Sequence, residues 1–137
     1  MHDRILKKGL FSNPFVGFKV SDREGRIMQS NAYLRDILGY EESELAAMTV
    51  ADLCHNDDKQ LELSERRQLM EGNLDHLTYR KRYLAKSGKT IWGDTSITAV
   101  RDANGGCEAL VAMMVNVTAQ RRQELLQQGQ ARVLELL

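Results

Sequence analysis

Three runs rich in β-branched and aromatic residues, Thr78 to Ala85, Thr90 to Val100 and Cys107 to Val117, follow one another across short polar or Gly-rich breaks. The breaks are Lys86-Ser87-Gly88-Lys89 and Arg101-Asp102-Ala103-Asn104-Gly105-Gly106. Connections of that length join antiparallel neighbours, so the second half of the chain is expected to form a meander. Period-two alternation divides the middle run into a face of Ile91, Gly93, Thr95, Ile97 and Ala99 and a face of Trp92, Asp94, Ser96, Thr98 and Val100. The last run, Ala109-Leu110-Val111-Ala112-Met113-Met114-Val115, is apolar at every position, and a strand written that way is expected to be covered on both sides of its sheet. Helices of the same domain can cover one side. The other requires a flanking helix or a second subunit.

The first half supplies the remaining elements. Ile5 to Phe11 suits a short amphipathic lead-in helix that Asn13-Pro14 ends, because Pro disfavours helical backbone at the residue before it. Gly17 to Ser21 and Gly25 to Ser30 read as two strands about the turn Asp22-Arg23-Glu24-Gly25. Ser30 or Asn31 can cap a helix with Leu34, Ile37 and Leu38 on one stripe, and Gly39 stands where a left-handed C-terminal cap belongs. Glu41 to Leu45 reads as a short acidic helix, and Asp57 or Asp58 opens a longer one whose apolar positions are Leu61, Leu69 and Met70, with a stop at Gly72-Asn73.

A length of 137 residues accommodates one domain and a short extension. The organisation expected is a lead-in helix over residues 1–12, a domain over 13–118 and a C-terminal helix over 119–137. Lys and Arg number 19, as do Asp and Glu, so the charge balance offers no attraction to nucleic acid or an anionic membrane. No apolar run has the length of a membrane span and Met1-His2-Asp3-Arg4 begins no secretory signal, so a cytoplasmic location without membrane contact is expected. Cys54 and Cys107 form no CxxC and read as reduced structural thiols.

Signatures of catalysis are missing too. Gly88-Lys89-Thr90 has the last letters of a phosphate-binding loop, but Tyr83 replaces its first Gly and the segment joins two strands. Neither a nucleophile elbow nor a His-Glu-x-x-His occurs. Asp52, Asp57 and Asp58 lack the alternating ligands of a calcium loop and suit helix capping and a solvated surface. A non-enzymatic chain without a metal site is expected.

The order of local motifs resembles that of PAS domains with their C-terminal PAC portion. The resemblance rests on Asp22 to Ile27, Asn31-Ala32-Tyr33-Leu34, Leu38-Gly39-Tyr40, Glu44-Leu45, His55-Asn56-Asp57-Asp58, Lys86 to Trp92, Arg101-Asp102 and Asn116-Val117-Thr118, over about residues 10 to 118. Two positions depart from the family pattern: Asn116 stands where Asp is usual, and Asn56 where Pro is. The resemblance implies an α+β fold, a five-stranded antiparallel sheet with helices over one face around a small-molecule cavity, plus flanking N- and C-terminal helices. It also implies a sensory or regulatory role whose signal passes through the terminal helices to an output domain of histidine kinase or diguanylate cyclase type.

By analogy of strand facing, Gly93, Thr95, Ile97, Tyr83 and Met114 point toward the helical layer, where the small Gly93 and Thr95 leave volume for a ligand. Tyr33, Leu69 and Met70 either line that volume with them or fill it, and the collapsed alternative makes the chain a protein-interaction or dimerisation module. No cofactor is assigned. Haem and flavin are minor alternatives: His55 reads as a hydrogen-bonded turn residue and His76 as a solvated one rather than axial ligands, and Ala47-Met48-Thr49-Val50 stands where flavin photoreceptors carry their reactive Cys.

The tail completes the reading. A helix over residues 119–137 has an apolar seam of Leu126, Val133 and Leu137 at nearly heptad spacing, while Gly129 weakens its middle by about 1 kcal/mol relative to Ala. A helix of that size is marginal alone, so it leans either on the open sheet face or on a second chain in a homodimer, with Asn116 and Thr118 at its root. Its last residues carry no Gly, Pro or cap, as expected of a helix that continues.

Overall fold

A computed structural model describes residues 2–129 of the chain. The elements in order are α1 (His2–Phe11), β1 (Gly17–Ser21), β2 (Ile27–Ser30), α2 (Ala32–Leu38), α3 (Glu42–Ala46), two 3₁₀ turns (Val50–Leu53 and Asn56–Asp58), α4 (Lys59–Met70), β3 (His76–Leu84), β4 (Thr90–Arg101), β5 (Cys107–Asn116) and α5 (Thr118–Gln127). The strands form one five-stranded sheet in the order β2-β1-β5-β4-β3, antiparallel throughout. The expected α+β architecture is therefore present, with the meander β3-β4-β5 and the hairpin β1-β2 meeting at β1 and β5.

Local chemistry explains where the chain turns. Asn31, almost fully buried, accepts from the Phe18 N–H at 2.9 Å and the Leu34 N–H at 3.1 Å and donates to the Val16 carbonyl at 2.8 Å, so one side chain caps α2 and fastens it to β1. Gly39 closes α2 at φ 80°, a conformation that costs a side-chain-bearing residue but not glycine. His55 Nδ1 accepts from the Asp57 N–H at 3.2 Å, as a turn residue should, and Asp52 forms a capping box with Thr49.

Strand register assigns the two faces. Tyr79, Lys81 and Tyr83 on β3 lie opposite Thr95, Gly93 and Ile91 on β4, while Gly17, Lys19 and Ser21 on β1 lie opposite Met114, Ala112 and Leu110 on β5. These residues make the inner face, beneath α2, α3 and α4. One apolar cluster joins Ile27, Leu34, Leu38, Leu45, Val50, Leu53, Tyr83 and Met114, and a second joins Leu69, Ile97, Cys107, Leu110 and Ala112.

Several expectations require correction. Of the apolar positions read on α4, Leu69 is buried but Leu61, like Leu63, is about half exposed, and Glu62 is buried between them. His76 is exposed as expected but begins β3 instead of lying in a loop. Within the tail, α5 ends at Gln127 and Gly129 takes φ 74°, so the helix does not run unbroken through Gly129. Val133 and Leu137 lie outside the described residues.

Gly93 shows how tightly the inner face is packed. A Cβ there would sit 2.7 Å from Tyr83 Cε2 and 2.8 Å from Met114 Cγ. Gly93→Ala is expected to destabilise the fold by about 1–3 kcal/mol in chemical denaturation, the usual cost of overpacking a closed core. An unchanged midpoint would show that Tyr83 and Met114 yield freely.

Candidate functional site

The inner face carries charge where an apolar core is the rule. Lys81 is 1% exposed and Lys19 is 4% exposed, yet neither points to solvent, because period-two alternation places both on the helix-covered side. From α4, Glu62 extends its carboxylate toward them. Glu62 Oε2 lies 3.0 Å from Lys81 Nζ and accepts the Tyr79 hydroxyl proton at 2.6 Å. The Lys81 ammonium has no aligned hydrogen-bond acceptor; it is held by the charge of Glu62 and lies 4.9 Å from the Tyr83 ring centroid. Burial opposes the charged form of Lys81, but Tyr83, Glu62 and Cys54 together raise its pKa. Burial likewise opposes the Glu62 carboxylate, but Lys81, Lys19 and the Tyr79 hydroxyl hold its pKa below the usual range.

Lys19 is different. Among the described residues neither Lys19 nor Arg66 has an ion-pair partner: Arg66 donates to the Ser21 hydroxyl at 3.2 Å and to the Asp22 carbonyl, both neutral. Burial, and then Lys81, lower the Lys19 pKa from 10.5 to about 7. Lys19, Ser21, Glu62, Glu65, Arg66 and Tyr79 surround an interior cavity of about 10 Å³, enough for roughly one water.

A second constellation joins α4 to α5 across the sheet. Arg82, outward-facing on β3, donates to both carboxylate oxygens of Asp58 just before α4, at 2.9 and 2.5 Å. Its guanidinium lies 5.6 Å from the Trp92 ring, and the Arg121 guanidinium of α5 lies 5.1 Å from the same ring. Nearby, Arg80 pairs with Asp94 at 2.8 Å and with Glu124 of α5 at 3.0 Å. Asn116 Oδ1 accepts from the Thr118 N–H at 3.0 Å and hydroxyl at 2.6 Å, while Thr118 Oγ1 accepts from the Trp92 N–H at 3.0 Å. Asn in place of Asp thus still pins the strand exit. Leu126 is half exposed.

The expected pocket residues fall into several places. Tyr83 and Met114 fill the space above Gly93, and the Tyr83 hydroxyl lies 2.8 Å from Thr95 Oγ1. Leu69 and Ile97 pack in the second cluster with Met70 at its margin, and Tyr33 is half-buried outside both clusters. The missed residues are Lys19, Glu62, Arg66, Lys81, Arg82 and Arg121. Alternation along β1 and β3 was the available signal for the two lysines.

Outside the sheet the cover is incomplete. Phe11 of α1 packs edge-on against Phe18 at 4.9 Å and α5 covers part of β3 and β4, but Met113 and Val115 remain 39% and 46% exposed. They line an open groove of about 540 Å³ together with Val16, Thr78, Arg80 and Ser96. No group of three or more His, Cys, Asp or Glu that could hold a metal, and no helix long and apolar enough to cross a membrane, occurs among the described residues.

A sheet in this order, helices over its inner face and a final helix rooted at the end of its last strand define a PAS-type domain. The family model for the PAS fold matches residues 27–114, and the chain belongs to that family. It is 26% identical over 113 residues to the probable diguanylate cyclase DgcE of Escherichia coli K12, covering 82% of this chain and 10% of that protein. It is also 26% identical over 131 residues to the sensor histidine kinase TmoS of Ectopseudomonas mendocina, covering 94% of this chain and 13% of that one. The chain therefore spans about a tenth of the length of these relatives. The crystal structure of a PAS domain from Colwellia psychrerythraea superposes with a TM-score of 0.79 at 19% identity, over 87% of this chain and 99% of that domain.

Lys19 has a signature in the pH dependence of stability. Its folded pKa lies below its unfolded value, so between about 7 and 10.5 the unfolded chain binds the extra proton and stability rises with pH. Cys54, whose thiol burial pushes up from 9.0, acts oppositely once the unfolded thiol ionises, which leaves pH 7 to 9 as the informative window. Denaturation in that window is expected to show a rise of up to about 1.4 kcal/mol per pH unit, absent in Lys19→Met. By contrast Glu62→Gln is expected to cost about 3–5 kcal/mol at pH 7, because it strands the Lys81 charge. A pH-flat wild type would remove Lys19 from the titrating groups.

Proposed function

We propose that this chain is a non-catalytic sensory module that passes a change at its inner face through α5 to an output domain, of the histidine kinase or diguanylate cyclase type found in its relatives. The observation that carries this reading is the position of Trp92, held between Arg82 and Arg121. Arg82 also holds Asp58 ahead of α4, and the adjacent Lys81 holds Glu62 within α4. A shift of α4 thus acts on two consecutive residues of β3, one facing inward and one facing α5. A coupling of about 1–3 kcal/mol between helix and output suffices for regulation when an input favours one arrangement.

The second reading is a protein-interaction module that forms a homodimer. It is favoured by the filled space above Gly93 and by the uncovered Met113 and Val115. Terminal helices or the open sheet face would then carry the contact.

A fusion of this chain to a diguanylate cyclase output separates the readings. Trp92→Leu and Arg82→Gln are expected to shift cyclase activity several-fold while the dimer fraction stays unchanged. Val115→Asp is expected to leave activity per dimer unaltered. If only Val115→Asp changes output, and does so by dissolving the dimer, the interaction reading replaces the sensory one.

A further inference from the structure

We propose that the cavity between β1 and α4 is a binding site for a compact monovalent anion of halide size, held by Lys19 Nζ and the Arg66 guanidinium. The proposal supplies an input for the regulatory reading above and rests on it for its use, whereas the site itself is tested by binding to the chain alone.

Unmatched charge borders a small, largely enclosed space. Lys19, 4% exposed and without a hydrogen-bond or ion-pair partner among the described residues, lines a void of about 10 Å³. Arg66 lines the same void and bonds only the Ser21 hydroxyl and the Asp22 carbonyl; the carboxylates of Glu62, Asp22 and Glu24 act on its charge from beyond ion-pair distance. Buried charges are ordinarily paired or neutralised, so two cationic side chains on one small void favour either a neutral Lys19 amine or an anion between them. The void has room for a single small species, which excludes an organic acid of any length while the helices stay in place.

Two carboxylates border the void and work against an anion. Glu62 has Lys81 at ion-pair distance and the Tyr79 hydroxyl on the same oxygen, so its charge is already matched. Glu65 has a buried, unpartnered Oε2, and burial followed by the nearness of Glu62 raises its pKa toward the neutral acid. The groups that face Lys19 are thus Lys81 and Tyr79 from β3, Glu62, Glu65 and Arg66 from α4, and Cys54 from the loop before it. Occupancy requires the protonated amine, so affinity falls as pH rises through the Lys19 titration at about 7.

The test is melting of the purified chain in sodium chloride, bromide or gluconate at constant ionic strength, gluconate being too large for the void. Chloride and bromide are expected to raise the melting temperature saturably, as mass action requires of a ligand that binds the folded state. The apparent affinity is expected to be roughly tenfold weaker or more at pH 9 than at pH 6. Lys19→Met, which keeps the length of the stem, is expected to abolish the response, and Arg66→Gln to weaken it. Should both variants fail to fold, crystals of the wild-type chain grown in sodium bromide give the same answer through an anomalous peak beside Lys19 Nζ. Identical melting in the three salts, a halide response retained in Lys19→Met, or bromide found only on the surface would overturn the site. None of those results bears on output control by Trp92, so a failure here leaves the regulatory reading standing.

Discussion

Much of the structure depends on the ion pair between Glu62 of α4 and Lys81 of β3. Both ends are nearly inaccessible to water, and removing two charges from solvent is costly unless each answers the other. The pair therefore dictates which side of α4 faces the sheet. With Glu62 turned inward, Leu61 and Leu63 on neighbouring positions are turned out, which is why α4 exposes two leucines while burying a glutamate. Had the leucines determined the orientation, Lys81 would have been left as an uncompensated buried charge, a loss larger than the gain from covering two aliphatic side chains that stay half exposed.

The same pair leaves Lys19 isolated. Glu62 Oε2 already receives Tyr79 and faces Lys81, so the second inward lysine, across the sheet on β1, finds no carboxylate within ion-pair distance. A small polar void remains beside it. The rest of the inner face closed up: Gly93 lets the Tyr83 ring and Met114 approach the backbone directly, which consumes the volume that small residues on β4 would otherwise leave open. The interior thus holds one filled region of ordinary packing and one small polar void, a few strands apart on the same sheet.

The strand segments and the two antiparallel sets they form were legible in the sequence because period-two alternation and Gly-bearing turns are local signals, whereas the single five-stranded sheet was implied only by the family resemblance and the pairing of β1 with β5 is a long-range contact. Asn31, Gly39 and His55 were legible for the same reason, since capping and turn chemistry act within a few residues. The charged site was not. The apolar positions of α4, Leu61, Leu69 and Met70, define no single stripe, and nothing within the helix signals that Glu62 turns inward to meet Lys81 on another element. Trp92 was placed on the outward face, but its two guanidinium neighbours come from positions 10 residues before it and 29 after it, a juxtaposition that no local pattern contains. The end of α5 marks a smaller failure of the same kind: the Leu spacing argued for continuity, and the glycine's backbone freedom prevailed.

In the proposed sensory reading, strand alternation supplies the means of coupling. Lys81 and Arg82 are consecutive, so whatever moves one moves the other, yet they contact different layers: Lys81 holds α4 from the inner face, and Arg82 reaches Trp92 on the outer face, where Arg121 of α5 meets the same ring. Each guanidinium–ring contact is worth only about 0.5–1 kcal/mol where solvent reaches it. The proposed reading requires that weakness. A terminal helix clamped by strong contacts would not change its packing when α4 shifts, whereas one held by the Arg121–Trp92 contact, the Arg80–Glu124 pair and the hydrogen bond from the Trp92 N–H to Thr118 Oγ1 can be displaced by an input of a few kcal/mol. The exposed Leu126 and the open groove beside Met113 and Val115 give such a helix a second apolar surface near at hand, so displacement from the sheet need not mean unfolding.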